Sequence, residues 1–182
     1  MIETSENFIF DCLKLSIVEI KRVLDPIFGK SSIMKYMFDC RSDVDALYHQ
    51  YNIKLAGVVD AKLYEVGFRK CNGLRTGFCY GLFKTLNENS TQIGITMQEM
   101  ELKKKHSDQF TQNQYELNIN DTDFLRYLSI DVIYLKRIYL IFREKTGNGQ
   151  VRNKIKIETE KIQNCWIQSV YINVSSCALS AS

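Results

Sequence analysis

The chain has 182 residues, 45% of them apolar and 25% charged, and its 24 Lys and Arg against 21 Asp and Glu give a formal charge of +3. These figures fit one globular domain with a core of its own and exclude wholesale disorder. No stretch approaches the roughly 18 uninterrupted apolar residues of a membrane span, and a single proline, where average usage of about 5% gives roughly nine, points to a helix-rich chain.

In chain order, the apolar run F-I-F-D-C-L at residues 8–13 predicts a buried strand. Helical spacing of Ile17, Val18, Ile20, Val23, Leu24, Ile27 and Phe28 predicts a helix that Gly29 stops. Residues 33–38 read as a second strand. Ser42 is then placed to cap a helix through Tyr51, with Asp43 and Asp45 in the first turn, where carboxylates suit the helix dipole. Residues 55–59 form a third strand ending at Asp60, and 61–70 resume a helix. Alternation of strand and helix argues for an α/β domain, in which loop side chains converge at the strand ends.

Further along, residues 78–86 and 97–106 predict two helices, the second carrying the run Lys103, Lys104, Lys105. One long helix is expected from 121 to 145, with a buried stripe of Phe124, Leu125, Leu128, Val132, Leu135, Tyr139 and Phe142. Beyond Gly149, alternation at Val151, Ile155 and Ile157, then Trp166, Val170, Ile172 and Val174, predicts a hairpin or two edge strands, with 175–182 a loose tail. The domain is expected over residues 1–145 and an extension over 146–182. The six cysteines are scattered without a C-x-x-C pair, so free and mostly buried thiols in a reducing, intracellular compartment, cytoplasmic or nuclear, are expected.

Tyr127 and Asp131 stand four residues apart on the long helix and so share one face. Asp43 opens the helix after the second strand, and Asp60 closes the third. Carboxylates at strand ends and on a helix face are what two divalent metal ions need. Lys136, Arg137, Arg143, Lys145, Arg152, Lys154, Lys156 and Lys161, with the lysine run at 103–105, form a cation set that can follow a phosphate backbone or simply solvate a helix face.

Residues 33–62, with S-D-V-D-A-L-Y-H and V-V-D-A-K-L, resemble the second motif of RNase D-like and Werner-type 3'–5' exonuclease domains. L-R-Y-L-S-I-D-V-I-Y-L at 125–135 resembles their third motif in its Tyr-x-x-x-Asp form, and D-C-R-S-D-V-D-A-L-Y-H resembles the Egalitarian-like branch. The resemblance implies a ribonuclease H-like α/β fold, a mixed sheet flanked by helices, that removes nucleotides from RNA or single-stranded 3' ends. It implies Asp43 and Asp131 as ligands of Mg²⁺ or Mn²⁺, two ions about 3.5–4 Å apart, with Tyr127 orienting the attacking water and Asp60 supporting. The family's first motif, Asp-x-Glu on a first strand, occurs nowhere in the 182 residues, so the fold is expected to lack that N-terminal strand. Hydrolysis hinges on the pair. The alternative is a non-catalytic adaptor on the same fold that binds RNA or a protein, and a protein partner or homodimer is left open. No membrane association is expected.

Overall fold

In the computed structural model of the chain, which describes residues 6–12, 14–111, 120–147 and 149–164, helix α1 (Ile17–Phe28) opens with reciprocal capping. Ser16 Oγ accepts from the Glu19 N–H at 3.3 Å, and Glu19 Oε2 accepts from the Ser16 N–H at 2.9 Å. Two of the donors that a helix start leaves orphaned are thereby satisfied. Gly29 closes the helix as its spacing predicts.

Strand β1 (Lys35–Met37), helix α2 (Arg41–Tyr51) and strand β2 (Val58–Asp60) make one strand–helix–strand unit. The strands pair in parallel with Lys35 opposite Val58, Tyr36 opposite Val59 and Met37 opposite Asp60. Side chains alternate across a strand, so this small sheet has two different faces. Tyr36 and Val59 face one cluster. There α3 (Ala61–Cys71) and α8 (Leu135–Lys145) bring Ala61, Ile138, Tyr139 and Phe142. The Tyr139 ring lies 5.2 Å from that of Tyr36 and 4.9 Å from that of Tyr64. Helices α4 (Leu82–Glu88), α5 (Ser90–Ile93), α6 (Met97–Thr111) and α7 (Thr122–Ile133) extend the cluster through Leu86, Ile93, Met100 and Ile130. Met37 and Val58 face the other cluster, with Cys40, Val44 and Leu55, covered by Phe28 of α1 and Ile162 of α9 (Gly149–Asn164). The α/β expectation therefore holds: among the described residues, a parallel sheet of two strands is flanked by helices.

Several expectations need correction. The helix α9 replaces the hairpin expected from residue 151. Val151, Ile155, Thr159 and Ile162 recur at helical spacing on the covered side, whereas Ile157 points outward, 43% exposed. Ile155 is fully buried against α3, where a Cβ on Gly67 would stand 2.7 Å from its Cδ1, so the glycine makes the close approach of the two helices. Residues 165–174 of the expected hairpin, and the tail at 175–182, lie outside the described residues. Residues 8–12 form no strand. β1 and β2 pair with each other, and Phe8, Ile9 and Phe10 stay exposed.

The long helix expected over 121–145 is two helices meeting at Tyr134. The β-branched Ile130, Val132 and Ile133 before the break are poor helix formers, and the Tyr134 hydroxyl is tied to Glu99 of α6 at 2.9 Å. On α7 the buried positions are Phe124, Tyr127 and Ile130, and Val132 faces away from them, exposed. Helix α2 begins after Cys40 without a side-chain cap, not at Ser42. Cys12, Cys40 and Cys71 are free, but only Cys40 is buried, and Cys79, exposed on the loop before α4, is disulfide-bonded. The expectation of buried free thiols fails for Cys71 and Cys79, which sit where the chain leaves the core.

Candidate functional site

Two acidic corners result from this fold. The first lies where β1 and β2 end. Asp60, 1% exposed, caps α3 by accepting the Lys62 N–H at 3.0 Å, and it also accepts the N–H groups of Asp39 at 3.0 Å and Cys40 at 3.2 Å. One carboxylate thus ties together the ends of both strands and the starts of α2 and α3. Burial pushes the Asp60 carboxyl above the usual carboxylate range, although the three N–H donors oppose the shift. Asp39 sits in the left-handed region at φ 61°, a conformation that aspartate tolerates better than most residues. Its carboxylate accepts from Arg41 Nε and a second Arg41 nitrogen at 2.6 and 2.9 Å and from Lys62 Nζ at 2.6 Å. Burial works against its ionisation, but these two cations outweigh burial and hold it below the usual range.

Asp43 lies in the first turn of α2 and is exposed. Desolvation by its neighbours, then the charges of Asp39 and Asp60, push its carboxyl up. The Cys40 thiol beside them is raised too, by burial first and by Asp60, Asp43 and Asp39 after it. A carboxylate crowded by other carboxylates is a place where added positive charge is favoured.

The second corner is the seam between α6 and α7. Thr96 and Glu99 cap α6 reciprocally, with N···O distances of 2.9 Å from the Thr96 N–H and 3.2 Å from the Glu99 N–H. Glu99 then reaches across to the Tyr134 hydroxyl and, at 3.7 Å, to Arg126. One turn further on, Lys103, 5% exposed, donates from Nζ to Asp131 Oδ1. The same Nζ lies 5.3 Å from the centroid of the Tyr127 ring, which is itself buried and 5.1 Å from the His106 ring. Tyr127 and Asp131 thus share a helix side, and both meet Lys103.

A family model described as 3'–5' exonuclease matches residues 2–146. The chain belongs to this 3'–5' exonuclease family. It matches no curated protein and no solved structure.

Within this exonuclease-family fold, Asp43 keeps company with Asp39 and Asp60, and Asp131 with Lys103. Among the described residues no group of three or more His, Cys, Asp or Glu side chains is placed to hold a metal ion. A two-ion site needs several converging carboxylates, and a carboxylate already paired to an ammonium is a poor ligand for a second cation. The described donor set therefore does not fit a Mg²⁺ or Mn²⁺ pair.

The cations divide as well. Lys103 is buried, Arg137 donates to the Ile93 carbonyl and Arg152 Nε to the Thr146 carbonyl at 2.6 Å, so these three serve the fold. Lys156 and Lys161 pair with Glu160 and Glu158 along α9. Lys104, Lys105, Arg143 and Lys154 are exposed. Among the described residues no helix is long and apolar enough to cross a membrane.

Sequence reasoning missed Lys103 and Asp39. Lys103 was hidden in a three-lysine run, although the buried positions Met100, Lys103 and His106 step by three along α6 and mark its inner side. Asp39 opens the motif D-C-R-S-D-V-D-A-L-Y-H, but its left-handed backbone and its ion-pair partners come from the strand-end geometry.

Proposed function

We propose that this 3'–5' exonuclease-family chain binds nucleic acid, RNA or a single-stranded 3' end, as a recognition module, without hydrolysis on the two carboxylates its motifs supply. The observation that carries the reading is the separate engagement of those carboxylates. Asp131 is paired with a protein ammonium, whereas Asp43 lies in another corner with Asp39 and Asp60. Two-metal hydrolysis requires one ion to activate water and another to stabilise the leaving oxygen, both held by converging acids. Phosphate attraction needs no such convergence. Exposed Lys104, Lys105, Arg143 and Lys154 supply it, each contact releasing condensed counterions. The likeness of D-C-R-S-D-V-D-A-L-Y-H to the Egalitarian-like branch, parts of which act as adaptors, supports the same reading.

A labelled single-stranded RNA tests it by fluorescence anisotropy across a salt series, with a gel of the same samples in Mg²⁺ and Mn²⁺. Affinity is expected to fall linearly with salt on logarithmic axes, with the strand left at full length. Metal-dependent shortening, lost in Asp43→Ala or Asp131→Ala, overturns the reading.

That outcome is the second reading: hydrolysis from a 3' end, with Asp43 and Asp131 holding Mg²⁺ or Mn²⁺ and Tyr127 orienting water. One observation favours it. Desolvation first, and then the charges of Asp39 and Asp60, raise the Asp43 carboxyl, and a divalent cation bound there would relieve the repulsion between the carboxylates.

A further inference from the structure

An ammonium group is seldom buried without a fixed anion, because removing it from water costs several kcal/mol that only a well-placed partner offsets. Lys103 meets that condition with Asp131 as its anion and the face of Tyr127 beside it at 5.3 Å. These are the two side chains that the third-motif resemblance gives to a metal ion and a water. Both of them face a cation that belongs to the chain itself. The Asp131 side chain remains 36% exposed, so its charge is felt at the surface, while that of Lys103 is only 7% exposed. Lys103 sits in the middle of α6 and Asp131 near the end of α7, and the polar ties of Glu99 to Tyr134 and Arg126 run along the same seam. Withdrawing the ammonium into water would mean unpacking that seam.

We infer that Lys103 is a built-in cation that does the charge-balancing work of a divalent ion at Asp131. It keeps this corner neutral toward phosphate groups when no metal is present. A carboxylate left unpaired there repels a nucleic-acid backbone, and one paired with Lys103 does not. The part of this inference that concerns phosphate rests on the nucleic-acid-binding reading. The part that concerns metal does not.

Two measurements on the full chain test it. In the first, Mn²⁺ uptake is followed by electron paramagnetic resonance in the wild type and in Asp131→Asn. The two are expected to behave alike, and Mn²⁺ uptake by the wild type that disappears in Asp131→Asn overturns the inference. In the second, binding of labelled single-stranded RNA is compared in EDTA and in Mg²⁺. At matched ionic strength the wild type is expected to bind no more tightly in Mg²⁺ than in EDTA. Lys103→Met is expected to bind roughly three- to tenfold more weakly in EDTA, the size of one unscreened charge near a phosphate. Mg²⁺ and the double variant Lys103→Met/Asp131→Asn are each expected to restore the affinity. Thermal melts separate a packing defect from a charge effect: a loss that Asp131→Asn does not rescue in a folded double variant also overturns the inference. Should the wild type bind no RNA in either buffer, the proposed function fails and the Mn²⁺ comparison alone decides this point.

Discussion

The strand-end corner and the α6–α7 seam both hold a motif aspartate, yet they bind their carboxylates in unlike ways. Asp60 collects three main-chain N–H groups from residues that strand pairing has already placed. Asp131 depends on one side chain 28 positions away, which reaches it only because α6 packs on α7. Main-chain donors cannot turn away, so the first corner is rigid and carries surplus negative charge onto Asp43. A side-chain ammonium cancels charge, so the second corner is balanced. Asp43 and Asp131, assigned one role by their motifs, thus stand in opposite electrostatic surroundings, and the surroundings decide what each can bind.

Breaking the first corner is expected to cost most. Asp60→Ala leaves one buried and two partly buried donors unpaired, a buried one costing about 1–3 kcal/mol. Allowing for partial relief by water, we expect about 3–5 kcal/mol lost in a urea titration. At the seam, Lys103→Met removes a pair whose acidic member is 36% exposed, so solvent screening limits the loss to about 1–2 kcal/mol by the same measurement. A larger loss for Lys103→Met than for Asp60→Ala would reverse the ranking of the two corners.

The smallest effect sharpens the comparison by sign. The Asp43 carboxyl is raised in the folded chain above its ordinary value of 3.8, so the folded state holds that proton more tightly than the unfolded one. Its stabilisation is fully present below 3.8 and is lost as pH rises through the folded value. Asp43→Asn is therefore expected to flatten that decline and to raise stability near neutral pH by about 0.5 kcal/mol, a figure discounted for solvent at an exposed site. Asp39, held low by Arg41 and Lys62, behaves oppositely. Its contribution is present above 3.8 and is lost as pH falls through the lower folded value, so Asp39→Asn is destabilising at neutral pH and harmless in strong acid. Melting temperatures of both variants across an acid-to-neutral series check the two slopes.

What the sequence determined by itself is local. The Gly29 stop, helical spacing and strand–helix alternation placed α1, β1, β2 and α3 within a few residues, because hydrogen bonds between near neighbours and one-sided burial leave periodic marks. Asp43, Tyr127 and Asp131 stood out through the resemblance of their motifs to the exonuclease family, and only the shared side of Tyr127 and Asp131 through helical spacing. Where partners come from far along the chain, those marks are silent. Nothing in Val151 to Ile157 taken alone separates a strand from a helix, and the helix emerged because Gly67 of α3 leaves room for Ile155. Nothing in a three-lysine run says that its first member is buried. Only the packing of α6 on α7 decided that Lys103 meets Asp131, because burying an ammonium is tolerable only where the fold has set an anion beside it.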